Sequence, residues 1–316
     1  MKNVLGAEIG GTKLQVTLAD IETLEPVASL REQIVPAKGA AGIRAQLEAA
    51  IHSLLTLHKA EALGIGFGGP LDAKTGIIVK SHQVEGWDQF PLAHWCREQF
   101  DLPTTIRNDC DTAALAEATL GAGRNHQSCF YVTVGSGIGG GYVCDGKLQG
   151  ETRPAFGEIG HLRPGIDATD IHQTVESIAS GFGIADQVRA VFTSAPSADQ
   201  KDLLARCEGN LPQLTTRKIA AAALAGNTTA QRAIHHATQT LGWAIAQAVT
   251  LLAPQRVIVG GGVSLMPEEL FMEPLRKQVA AYVFPPLAES YEIVPAALGE
   301  AVVVKGALLL ARQSLA

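Results

Sequence analysis

Apolar residues fall along this chain in two rhythms: short unbroken runs that end in glycine, and longer stretches with apolar positions three and four apart. The first rhythm predicts buried strands and the second predicts helices. Residues 4–9 form an apolar run ending in Gly10-Gly11-Thr12-Lys13, and 14–18 resumes as a strand, with a third strand expected over 27–35. Ile43, Leu47, Ile51, Leu54 and Leu55 share one face of a predicted helix over 42–58. Residues 63–67 read as a short strand closing on Gly68-Gly69-Pro70, with a further extended stretch at 77–79. A helix over 89–100, an extended segment at 104–106 and an Ala-rich helix over 109–120 follow.

The same layout then recurs. Residues 129–134 are a strand pattern that breaks into Gly135, Gly137, Gly139, Gly140 and Gly141, and 142–144 resumes as a strand before Asp145-Gly146, a hairpin turn signal. Helices are expected over 174–180, 182–192, 214–224, 228–252, 267–282 and 301–314, with 193–200 as a polar linker. Strands are expected at 256–259, running into Gly260, Gly261 and Gly262, and at 291–294. Two halves that each open with a strand–glycine turn–strand point to an internal duplication with a ligand in the cleft between them, although two unrelated α/β domains would also satisfy the pattern. The expected division is 1–120 as an N-terminal α/β domain, 121–300 as a larger C-terminal one, and 301–316 as a helix packing back on the first.

Composition narrows the setting. A chain of 316 residues exceeds the usual single core, and 47% hydrophobic against 18% charged residues fits a packed α/β protein. A net charge of −6 without a Lys/Arg cluster argues against a nucleic-acid partner. The apolar runs at 220–225 and 244–253 are too short or too interrupted to span a bilayer, and the start of the chain lacks signal-peptide anatomy. Cys96, Cys110, Cys129, Cys144 and Cys207 have no CxxC spacing and read as reduced thiols, which makes the expected compartment the cytoplasm.

Read residue by residue, the chemistry stays open. A glycine cluster between strands lets backbone N–H groups approach a phosphate closely, but it also makes an ordinary tight turn. Glu158 and His161, flanked by glycines, suit a polar ligand. Asn108-Asp109 sits at a strand-to-helix junction, where Asp is also a common N-cap. Glu176 alone reads as a solvated helix residue.

Taken together, EIGGTK, GFGGP, NDCDTAALAE, TVGSGIGGG, GEIGH, VESIASG and VIVGGGVS resemble, in order and spacing, the motifs of the ROK (repressor, open reading frame, kinase) family. The resemblance covers essentially the whole chain. It implies a two-domain α/β fold of the actin-like, sugar-kinase type, a duplicated ribonuclease H-like architecture with a cleft between domains. It also implies an ATP- and Mg2+-dependent kinase that transfers the γ-phosphate to the 6-hydroxyl of a hexose, working as a homodimer. Asp109 resembles the family's catalytic base, and Asn108, Glu158, His161 and Glu176 match its sugar contacts, with Gly68 and Gly69 lining the pocket through backbone. Glu8, Gly10, Gly11, Thr12 and Lys13 resemble the first phosphate motif, Gly135, Ser136, Gly137 and Gly139 the second, and Gly260, Gly261 and Gly262 the adenosine segment. Gln83 and Trp87, in HQVEGW, stand where the family usually has an Asn-containing loop ending in Gly-Trp.

Two departures bear on these expectations. Glu8 replaces the Asp that normally opens the first phosphate motif and helps hold Mg2+ through water, which moves the carboxylate about one methylene outward. The interval LRPGIDATDIHQTV after His161 lacks the family's zinc-binding cysteines, so no zinc is expected, and Asp167, Asp170 or local packing must order that loop. No helix-turn-helix fits ahead of the first motif, which argues against the family's DNA-binding branch. Glu8, Gln83 and the cysteine-free loop motivate an alternative: a sugar-binding sensor without efficient phosphoryl transfer. A plain interaction scaffold would leave Asp109 and Glu158 unexplained.

Overall fold

The computed structural model describes residues 2–81, 84–150, 153, 155–193 and 195–315, so Gln83 lies outside the described residues. The chain divides into two compact units. Unit 1 takes Met1–Ser128, Gly141–Gly157 and Ala297–Ala316, and unit 2 takes Cys129–Gly140 and Glu158–Ala296.

Unit 1 begins with β1 (Asn3–Ile9), β2 (Lys13–Asp20), β3 (Pro26–Gln33), α1 (Gly39–Leu57), β4 (Leu63–Phe67), β5 (Leu71–Asp72), β6 (Ile77–Ile78), α2 (Leu92–Phe100), β7 (Thr104–Asn108) and α3 (Asp109–Leu120). Its main sheet has the order β3-β2-β1-β4-β7. β2 is antiparallel to both of its neighbours, β3 and β1, whereas β1, β4 and β7 run parallel. The parallel strands β1 and β4 are buried along almost their whole length, which is why they read as continuous apolar runs and not as alternation.

Next come β8 (Ser128–Val134), β9 (Ile138–Cys144), β10 (Lys147–Leu148), α4 (Val175–Ala179), α5 (Gly181–Ala190), α6 (Ala198–Arg206), α7 (Thr216–Leu224), α8 (Thr228–Leu252), β11 (Arg256–Gly260), α9 (Met272–Tyr282) and β12 (Glu292–Pro295). The second sheet runs β10-β9-β8-β11-β12, with β8, β11 and β12 parallel. Both sheets therefore have an antiparallel hairpin strand set followed by parallel strands, the repeated topology expected from the two glycine-turn openings. In unit 2 the long helix α8 packs against α4, α7 and α9.

The final helix, α10 (Val302–Gln313), belongs to unit 1 and lies on β1, β4 and α3. Leu308, Leu309, Leu310 and Ala311 share a core with Val4, Ala62 and Leu115. The helix comes so close that a Cβ on Gly64 of β4 would sit 1.8 Å from the carbonyl oxygen of Ala307. Just before α10, the fully buried carboxylate of Glu117 accepts backbone N–H bonds from Ala297 (2.9 Å), Leu298 (2.8 Å) and Ala122 (2.8 Å).

Several boundaries differ from the sequence pattern for identifiable reasons. Gly139, Gly140 and Gly141 are strand residues, because β9 starts at Ile138; the glycine turn is correspondingly shorter. The expected linker over 193–200 gives way to α6, opened by a capping box between Ser197 and Gln200. The helix expected from 89 begins at Leu92, since Gln89 has φ +55° and Pro91 stands at the N-cap. The helix expected from 267 begins at Met272, after a turn in which Leu270 N–H bonds the Pro267 carbonyl. Asp145-Gly146 forms the expected two-residue hairpin, with φ +52° and +71° and Cys144 paired to Lys147. Among the described residues no helix is long and apolar enough to cross a membrane.

Candidate functional site

In unit 1 the predicted residues gather at the carboxyl ends of three parallel strands. Ile9 is in register with Phe67, and Phe67 with Asn108, so the segments that follow β1, β4 and β7 emerge side by side. The carboxyl edge of parallel strands is where α/β sheets place ligands. Gly10 N–H bonds the Lys13 carbonyl at 3.0 Å and closes the β1–β2 turn, leaving Gly11 and the exposed Thr12 at its tip. Gly68 N–H bonds the Ile9 carbonyl at 2.8 Å, which fastens the GFGGP segment beside that turn.

Asn108, and not Asp109, is the N-cap of α3. Its Oδ1 accepts the N–H of Cys110 at 2.8 Å, and its Nδ2 donates to the Gly69 carbonyl at 3.1 Å. The capping role that sequence reasoning allowed to Asp109 thus falls on its neighbour. Asp109 is the first residue of the helix; its Oδ1 accepts the same Cys110 N–H at 2.9 Å. Its Oδ2 faces Gly68, where an added Cβ would come within 3.4 Å.

Glu8, the last residue but one of β1, is half-buried and pairs with Lys13 Nζ at 2.8 Å. Burial raises its pKa; the charges of Lys13 and Arg31 oppose that rise and Glu300 adds to it. Lys13 also reaches the carbonyl of Glu300 at 3.4 Å.

In unit 2 the second glycine turn follows β8. Gly135 N–H bonds the Gly137 carbonyl at 2.9 Å, and Gly181 N–H bonds the Gly135 carbonyl at 2.8 Å, which leaves Ser136 exposed at the tip. Gly139 is buried within β9 and is not part of the tip. Beyond β11, Gly261 has φ +87°, and a Cβ there would lie 2.5 Å from the Val134 carbonyl oxygen. Only glycine fits that backbone, and it draws the Gly260–Gly261–Gly262 segment against the end of β8.

Glu158 caps a single 3-10 turn (Ile159–His161) that His161 ends, and a Cβ on Gly160 would stand 2.1 Å from the Ile138 carbonyl oxygen. Glu176, in the first turn of α4, accepts the N–H of Ile138 on Oε2 at 2.7 Å. Burial raises the pKa of Glu158; His161 lowers it and the charge of Glu176 raises it further. The structure therefore brings Glu158, His161 and Glu176 together around the first residue of β9.

A cavity of about 450 Å3 in unit 2 is lined by Gly135, Ser136 and Gly262, which belong to the second and third glycine segments, and also by Phe182, Thr216 and Arg189, which the motifs do not include. The signal for Phe182 was its place directly after VESIASG. Arg189 braces one wall through the carbonyls of Pro212 and Leu214. A larger cavity of about 820 Å3 in unit 1, lined by Thr105, Arg107, Lys147 and Gln149 among others, contains none of the predicted residues.

The loop after His161 is held by short-range bonds. Arg163 donates to the Thr169 carbonyl at 2.9 Å, Asp170 accepts the His172 N–H at 2.9 Å, and Val175 N–H bonds the Leu162 carbonyl at 2.8 Å. Trp87, from the other predicted loop, is buried against Phe67 with ring centroids 5.1 Å apart.

Comparison with known proteins gives one consistent result. The ROK family profile matches residues 4–314. A glucokinase of Halalkalibacterium halodurans is 30% identical over 323 aligned positions, covering 98% of this chain and 95% of that protein. Among solved structures, a ROK family glucokinase from Streptomyces griseus in complex with glucose and AMPPNP superposes with a TM-score of 0.81 at 28% identity, covering 98% of this chain and 99% of that one. A ROK hexokinase from Thermus thermophilus superposes with a TM-score of 0.79 at 27% identity, covering 99% of each chain. The two-domain sugar-kinase fold expected from the motifs is the fold of these neighbours.

Proposed function

The chain belongs to the ROK family, and from that premise we propose that it is an ATP-dependent sugar kinase acting on the 6-hydroxyl of glucose or a closely related hexose. The observation that carries the reading is the convergence of Asp109, Gly68 and the Glu8–Lys13 turn at the carboxyl ends of β1, β4 and β7. Asp109 takes the hydroxyl proton as the sugar oxygen bonds the γ-phosphorus and the bond to the β–γ bridging oxygen breaks. Glu158, His161 and Glu176 accept or donate hydrogen bonds to ring hydroxyls, and Asn108 keeps one amide hydrogen for the same use beside its bond to Gly69. Among the described residues nothing donates a hydrogen bond to the half-buried Glu158 carboxylate, the condition of a group that awaits a ligand donor.

The tips of the two glycine turns, Gly11 with Thr12 and Gly135 with Ser136, present backbone to nucleotide phosphates. The cavity beside Gly262 is large enough for a nucleoside. Glu8 fits Mg2+, which keeps several waters and is bound through one or two carboxylates and the substrate phosphates. When bound, Mg2+ supplies charge neutralisation on those phosphates. The test is an ADP-release assay with Mg-ATP over a panel of hexoses and amino sugars. Turnover of glucose or a near relative is expected, and absence of turnover with every sugar would sink the reading.

The 2.8 Å pair between Glu8 and Lys13 favours a second reading, a sugar sensor whose first carboxylate is engaged by the chain itself. Glu8→Asp separates the two. A large gain in rate from Asp supports the sensor, and no gain removes its main support. We further propose that the loop after His161 is ordered without zinc, by the bonds of Arg163, Asp170 and Leu162. Elemental analysis finding one zinc per chain, or a melting temperature that falls with EDTA, would overturn that. The same kinship supports a cytoplasmic homodimer, which sedimentation at micromolar concentration would check.

A further inference from the structure

Glu176 lies in the first turn of α4, yet its Oε2 accepts the N–H of Ile138, 38 residues earlier and the first residue beyond the second glycine turn. A Cβ on Gly137 would lie 2.5 Å from the same oxygen and 3.3 Å from Cδ. The missing side chain at Gly137 is therefore what lets the carboxylate close on the turn. Glu176 is half-buried, and α4 opens with a capping box between Thr174 and Ser177. Val175 N–H also bonds the Leu162 carbonyl, so the helix that carries Glu176 is tied to the segment that carries Glu158 and His161. One carboxylate thus bears on two things: the turn whose tip is Ser136, and the cluster of groups suited to ring hydroxyls.

We propose that Glu176 is a positioning residue that couples the two ligands, sugar hydroxyls steadying the carboxylate that in turn steadies the Gly135–Gly137 turn for nucleotide phosphate. This rests on the sugar-kinase reading above and adds a direction to it. Oε2 serves the turn and Oε1 is left for a ring hydroxyl, so either ligand fixes the carboxylate for the other. Coupling of this kind is reciprocal: the factor by which sugar tightens ATP equals the factor by which ATP tightens sugar.

The variants that test it separate acceptor, charge and reach. Glu176→Gln keeps an oxygen for Ile138 N–H, Glu176→Ala removes it, and Glu176→Asp is one methylene short. Calorimetric titration of Mg-ATP without sugar should show Glu176→Gln within about twofold of wild type. Glu176→Ala and Glu176→Asp should be weakened about tenfold, the loss of one hydrogen bond to a charged acceptor. Gly137→Ala, which displaces the carboxylate from the nucleotide side, should weaken hexose binding by about fivefold or more in the absence of ATP, at an unchanged melting temperature. A merely structural Glu176 would lower the melting temperature of Glu176→Ala and leave the ATP affinity of its folded form unchanged. Equal ATP affinity in wild type and Glu176→Ala, or unchanged hexose affinity in Gly137→Ala, overturns the coupling while leaving the kinase reading intact. A wild-type chain that turns over no sugar overturns both.

Discussion

Two glutamates in this chain, one in each unit, close on backbone N–H groups far from them in sequence, and they do so under opposite conditions. Glu117 of unit 1 is fully buried, and its carboxylate is filled by Ala122, Ala297 and Leu298. Glu176 of unit 2 is half-buried and accepts one N–H, from Ile138, on one oxygen. Each has a glycine that makes room for it: a Cβ on Gly121 would fall 2.1 Å from Glu117 Oε2, and one on Gly137 would fall 2.5 Å from Glu176 Oε2. The device is the same and the use differs. A carboxylate whose acceptor sites are all taken by backbone holds the fold together; one with an oxygen to spare at the edge of a glycine turn can respond to a ligand.

The contrast can be broken at several points. Asp109→Asn sets the scale for a purely chemical role, with kcat expected to fall by about 10²–10⁴-fold at an unchanged melting temperature. A loss below tenfold in the ADP-release assay would remove Asp109 as the base. Glu117→Ala should act on stability alone, because it strands buried N–H donors at a cost of roughly 3 kcal/mol or more. For a chain of this size that lowers the melting temperature by at least about 5–10 °C. A drop in kcat/KM with no change in melting would place Glu117 with Glu176 instead.

Gly121→Ala should follow Glu117, destabilising the protein by about 1–3 kcal/mol in chemical denaturation while per-molecule activity is kept. The pH dependence is a smaller effect. Burial first, and the charge of Glu176 after it, raise the pKa of Glu158, so its ionised form weakens the folded state as pH climbs from the ordinary glutamate value through the raised one. Glu176→Gln removes the like charge, and the acidic limb of log kcat/KM for sugar should move to lower pH by less than about one unit. An unmoved or upward-shifted limb would contradict it. Glu8→Gln should matter least for stability, shifting melting by only about 2–4 °C, since the lost pair with Lys13 is offset by relief of a buried charge. Its melting temperature should also vary less than that of wild type in the window just above about pH 4.3, where the raised Glu8 pKa makes wild type lose stability as pH rises.

Much of the fold is legible because period and punctuation agree. The helices Asp109–Leu120 and Thr228–Leu252 have the bounds that their apolar spacing predicts, and Asp145-Gly146 turns where its φ preferences say it should. What escaped was set by contacts at a distance or by weak local signals. α6 is short and polar, and its one legible mark was Ser197 followed three residues on by Gln200. The glycines of β9 look like loop from composition, yet tertiary pairing makes them strand. At the site, the motif residues could be named from sequence. The capping of α3 by Asn108 and the reach of Glu176 to Ile138 could not, since nothing in a sequence says which oxygen a distant N–H will find.

The division of unit 1 has a bearing on how the protein is made. Its first stretch ends at Ser128, but the helix that covers β1 and β4, and the N–H groups that Glu117 awaits, come only from Ala297 onward. A ribosome adding about 5–20 residues per second needs roughly 10–30 s to synthesise the intervening stretch of about 170 residues. For that time the nascent N-terminal sheet has an open apolar face and a Glu117 carboxylate filled only by the Ala122 N–H, while most of unit 2 can already be complete. Vectorial synthesis therefore reverses the usual order for this chain: its N-terminal half is begun first and finished last.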